Sequence, residues 1–147
     1  MNMTKINTQP EIDLDTVVPL AIKPPAVFVS DLIDLVNFAY EENVASYWEI
    51  KIKDVQKAEL TIGGLTHNYT YKFTIIDYSE SEDGIDHVVN VETIKLGIER
   101  LLTGETKVSR YVMDQLKDAI YGYTMDIDSD VLDCILQAGI FGDIVYA

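Results

Sequence analysis

Aspartates at positions 126, 128, 130 and 133 run into an apolar closing stretch, MDIDSDVLDCILQAGIFGDIVYA. A D-x-D-x-D run can open an EF-hand calcium loop, which needs glycine at its sixth position for the turn and a bidentate glutamate at its twelfth. Those places hold Val131 and Gln137, so the coordination sphere does not close. Helix-end physics accounts for the same residues: Asp128 or Ser129 caps exposed amides, and Asp130 favours the positive end of the helix dipole. Asp133 lies past the first turn, with Gln137 one turn later on the same apolar helix. Two polar groups among Leu132, Ile135 and Leu136 need partners inside the fold, across a subunit boundary or on a ligand.

Catalytic patterns are sparse. His67 and His87 stand alone outside any H-x-x-x-H or H-E-x-x-H spacing, and no G-x-S-x-G, P-loop or G-x-G-x-x-G occurs. The expectation is therefore no enzyme, no metal and no cofactor. Binding has more to work with. Gly63–Gly64 either makes a plain hairpin turn or lets backbone amides approach a phosphate. Of nine tyrosines, Tyr69 and Tyr71 either pack in the core or offer a flat face to a base, with Tyr47, Tyr111, Tyr123 and Trp48 as further aromatics. Arg100, Lys107 and Arg110 gather positive charge between two helices, either to receive a phosphate or to offset helix ends.

These residues are carried by a recognisable series of elements. SDLIDLVNFAYEEN predicts a first helix, with Ser30 as its cap and Leu32, Ile33, Val36, Ala39 and Tyr40 on its apolar face. SYWEIKIKDV alternates as a strand burying Trp48, Ile50 and Ile52, and KAELTIGG with YTYKFTIIDY predicts a hairpin joined through GGLTHN. After the polar loop SESEDGID, HVVNV predicts a short strand. VETIKLGIERLLTG, VSRYVMDQLKDAIYGY and the closing stretch predict three more helices, the second helix ending at Gly104 and the last near Gly142. The fold class is α+β: a single domain over 27–147 with a small antiparallel sheet and about four helices. Residues 1–26, broken by Pro10, Pro19, Pro24 and Pro25, are expected to be an extended or disordered arm, with VVPLAI packing on the body or a neighbouring subunit.

The chain has 147 residues, 25 acidic against 11 basic, for a net charge of −14. Such a surface repels nucleic acid and anionic membranes, and suits a basic partner or mimicry of nucleic acid. Its one cysteine, Cys134, cannot form an intramolecular disulfide and suits a buried small hydrophobe. No apolar run approaches bilayer length, and the N-terminus lacks the basic start of a signal peptide. A cytoplasmic protein is expected.

The element order, with YW after the first helix, IGG in the hairpin, ERLLTG closing the second helix and the C-terminal motif Asp133, Gln137, Phe141, Gly142, Ile144, Val145, Tyr146, resembles the phage Thoeris anti-defence sponge family. The resemblance covers residues 30–147. It implies a homo-oligomer, a dimer that can build a hexamer, acting in the host cytoplasm. Such a protein sequesters a cyclic ADP-ribose signal without degrading it, and some family members hold cyclic oligonucleotides at separate sites. The implied ligand set is Gly63, Gly64, Tyr69, Tyr71, Arg100, Lys107, Arg110, Asp133 and Gln137. Two positions depart from the family pattern, since Ile62 and Leu132 stand where basic residues are expected. The rival classes are an acidic inhibitor or nucleic-acid mimic that binds a basic defence protein, and a structural or assembly protein of the virion.

Overall fold

The computed structural model describes residues 12–18, 27–45 and 48–146. A two-stranded antiparallel ribbon pairs β1 (Val17–Val18) with β2 (Val27–Phe28) and leads into α1 (Val29–Glu41). Ser30 does not cap this helix. The N-cap is Phe28, whose side chain carries no hydrogen-bond acceptor, and Asp31 reaches back to accept from the Phe28 amide instead. The helix is buried more widely than its periodicity suggested, with Leu35 and Asn37 inside as well. Asn37 carries its polarity inward because Oδ1 accepts the amide of Thr70 at 2.8 Å and Nδ2 donates to Glu41 at 2.8 Å.

The two strands expected over 46–64 are one strand, β3 (Ile50–Ile62), paired antiparallel along its length with β4 (Leu65–Asp77). Asp54 adopts a left-handed φ of 54°, and the register slips between Lys53 and Gln56 and again between Gln56 and Lys57. A bulge thus carries the chain through what reads in the sequence as a break. Trp48 precedes the strand. The turn is shorter than GGLTHN: Ile62 pairs with Leu65, leaving only Gly63 and Gly64, at φ 59° and 81°, in the hairpin connection. Both left-handed positions are what a two-residue turn matched to strand twist requires. β5 (Ile85–Val89) adds to the Asp77 half of β4, so the sheet order is β3-β4-β5.

α2 (Val91–Leu102), α3 (Arg110–Tyr121) and α4 (Ser129–Phe141) complete the chain. Asn90 and Thr93 cap α2 reciprocally, Ser109 caps α3, and Asp128 caps α4 by accepting the Val131 amide at 2.9 Å. Together the elements make one small α+β domain with four helices and antiparallel sheets among the described residues. Its main core joins all four helices to Phe73, Ile75 and Val89 of the sheet; a satellite core holds Ile33, Ala58, Leu60 and Tyr69. Of the segment expected to be an arm, residues 12–18 lie on the domain, with Ile12 and Leu14 against the satellite core and Thr16 accepting the Val29 amide. Residues 1–11 and 19–26 lie outside the described residues, as do Tyr47 and most of VVPLAI.

Candidate functional site

Asp133 and Gln137 face inward from α4, where they are 6% and 0% exposed. Asp133 accepts from Trp48 Nε1 at 3.2 Å and from Gln137 Nε2 at 3.0 Å. The Gln137 carboxamide then grips the C-terminal segment: Oε1 accepts the amides of Val145 and Tyr146 at 2.8 and 2.7 Å, and Nε2 donates to the Tyr146 carbonyl at 2.7 Å. Tyr146 in turn donates its hydroxyl to Asp77 Oδ2 at 2.6 Å, and its ring packs on Trp48 and Phe141. Partners for the two polar residues are therefore internal. They bind the end of the chain to the core.

Burial pushes the Asp133 carboxyl up to about 6, against the two hydrogen bonds that favour its charge. Asp77 is also desolvated, but hydrogen bonds from Tyr146 and Ser79 and the nearby His87 outweigh this and hold it below the usual range. The pair thus places two carboxyls with opposite shifts under one strap of chain.

The three cations separate. Arg100 donates to the Ala138 carbonyl at 2.7 Å and pairs with Glu105 at 2.9 Å, so it satisfies the last carbonyls of α4. Arg110 projects into solvent and approaches Asp114 at 3.6 Å. Lys107 stands at the rim of a groove of about 330 Å³ lined by Val108, Ser109, Val112, Cys134 and Ile144. The groove lies where α3 begins, so the positive end of that helix adds to the lysine. Cys134 is half-buried on its wall, and desolvation pushes the thiol up to about 11.

Gly63, Gly64, Tyr69 and Tyr71 lie elsewhere. At about 3.3 Å per residue, strands of 13 residues set the hairpin tip on the order of 40 Å from the Asp77 end. Tyr69 is buried and stacks against His67 at 3.9 Å, while Tyr71 donates to Gln56. Within one chain the nine residues of the expected ligand set are therefore scattered and do not line one common pocket. Comparisons with protein-family models, with curated proteins and with solved structures each found no match.

Leu132, where the family pattern calls for a base, is fully buried in the main core. No grouping of three or more His, Cys, Asp or Glu suited to a metal ion occurs among the described residues, and none of their helices is long and apolar enough to cross a membrane. The groove walls, Val108, Val112, Cys134 and Ile144, are what sequence reasoning passed over. Their signal was Lys107 set just before the Ser109 cap and the apolar rhythm of α3.

Proposed function

We propose that this protein is a non-catalytic, homo-oligomeric trap for a small anionic nucleotide signal of the cyclic ADP-ribose class, acting in the host cytoplasm. The observation that carries this reading is the Lys107 groove. Its apolar walls suit the face of a base, and among the described residues Lys107 forms no ion pair that would neutralise it. On a chain of net charge −14, Lys107 beside a helix N-terminus offers a pyrophosphate local attraction against the carboxylates of Asp128, Asp130 and Asp133, which act on Cys134 in the same wall. Arg110, with a side chain 94% exposed and a long contact to Asp114, can swing to help. At about 330 Å³ the groove is small for a dinucleotide and open on one side. A second copy covering it would enclose the ligand, in keeping with the homo-oligomer the family resemblance implies.

Native mass spectrometry with cyclic ADP-ribose isomers tests this. Binding that releases the intact signal on heating is the expected result. A chemically altered product would make the protein an enzyme, and no binding would remove the proposal. Replacing Lys107 and Arg110 together by alanine is expected to weaken binding at least tenfold with the fold unchanged.

One observation favours a second reading. Asp114, Asp118, Asp126, Asp128 and Asp130 are exposed along α3, the loop to α4 and the first turn of α4, a dense acidic face suited to a basic defence protein. That reading expects association which weakens steeply with salt.

A further inference from the structure

The wall of the groove formed by Ile144 belongs to the segment Asp143–Tyr146, and how that segment is held sets it apart from the rest of the domain. Among the described residues no backbone-to-backbone hydrogen bond reaches it. Its anchors are side chains: the Gln137 carboxamide on residues 145 and 146, Asp77 on the Tyr146 hydroxyl, and Trp48 and Phe141 against the Tyr146 ring. Gly142, in the left-handed region at φ 76°, separates it from α4, and Thr106 fixes the Gly142 carbonyl at 2.8 Å. Helix and strap thus meet at a defined joint, with a bonded ladder on one side and detachable contacts on the other.

We propose that Asp143–Tyr146 is a gating strap that swings about Gly142 as a unit, withdrawing the Ile144 wall of the groove and further exposing Cys134 while α4 stays folded. Asp133, Gln137 and Asp77 are then positioning residues. Asp133 orients the Gln137 amide, Gln137 and Asp77 hold the strap, and the strap sets Ile144 against the groove. This explains how the Asp-Gln pair bears on binding without touching a ligand. The strap's service to a nucleotide rests on the trap reading above, where closure would slow release; the opening itself does not.

Amide exchange and alkylation of Cys134 by iodoacetamide, measured on the full chain at one pH, test the opening. The amides of Val145 and Tyr146 are expected to exchange at one common rate, at least a hundredfold faster than those of Leu136 and Ile98. Tyr146→Phe removes the hydroxyl's bonds to Asp77 and Ser79 and keeps the ring. It is expected to speed both that exchange and Cys134 alkylation by about tenfold, as losing a hydrogen bond to a charged group implies, with the Leu136 and Ile98 amides unchanged. Strap amides that exchange only as slowly as Leu136 would overturn the proposal, as would alkylation insensitive to Tyr146→Phe. Neither readout uses a nucleotide, so a failure of nucleotide binding and a failure of the strap are told apart.

Discussion

The carboxylate of Asp133 receives two hydrogen bonds, from Trp48 and Gln137, in a place almost closed to water. Desolvation disfavours its charge more than those donors favour it, so the carboxyl rises from 3.8 to about 6 on folding. A group that binds its proton more tightly in the folded state stabilises the fold fully below its unfolded value, and that stability is lost as pH rises through about 6. Asp77 works in the opposite sense. Its lowered value contributes stability above the unfolded range and loses it as pH falls below. Together the two carboxyls favour a maximum where their windows meet, near the shared unfolded value of 3.8. Melting followed from pH 4 to 7 is expected to show stability falling with pH, by at most about 3 kcal/mol from Asp133. Asp133→Asn, which carries no charge at either end, is expected to flatten that slope. An unchanged slope in the variant would assign it to another group.

Among the helices, α2 and α4 pack most intimately, and two glycines explain how. A Cβ at Gly97 would overlap the Ile135 carbonyl, and one at Gly139 would overlap that of Thr93. Each helix thus presents its glycine to the other's backbone, and neither carbonyl can yield without bending its helix. Gly97→Ala and Gly139→Ala are each expected to destabilise by about 1–3 kcal/mol, although alanine is the better helix former. Chemical denaturation measures this, and a stabilised variant would mean that the helices separate freely. A glycine inside an amphipathic pattern was the only sequence signal for this crossing. The later helices were readable because period, cap and stop agree: Asn90 before α2 with Thr93 in its first turn, Gly104 after it, Asp128 and Gly142 about α4. The hairpin was half readable. Alternation marked both strands, but Asp54 in a bulge interrupts the rhythm of β3 and looks like a boundary. The site was least readable, because its wall comes from Ile144, whose place depends on Gln137 nine residues before Tyr146. Chain proximity and polarity identify Asp133 and Gln137 as notable; only the packed tail decides that their partners are internal.

At the scale of the whole molecule, 25 acidic residues against 11 basic ones leave a repulsive field that folding concentrates. Local pairing relieves little of it. Lys53–Asp86 and Arg110–Asp114 are largely exposed, and Lys95–Glu99 and Arg100–Glu105 are single pairs at the ends and flank of α2. Exposed pairs of this kind contribute about 0–1 kcal/mol each, whereas like-charge repulsion sums over every acidic side chain within a screening length. Salt weakens both, and with so large an excess of one sign the relief of repulsion dominates. Raising sodium chloride from about 10 mM to 150 mM, over which the screening length shortens from roughly 30 to 8 Å, is therefore expected to raise the melting temperature by several degrees. Binding of an anionic nucleotide is expected to tighten over the same range, because the field that repels it is screened more than its short-range contact with Lys107. A basic protein partner would respond in the opposite direction, weakening as salt rises. One salt titration therefore separates the two functional readings: a complex that strengthens with salt belongs to the groove, and one that dissolves belongs to the acidic face.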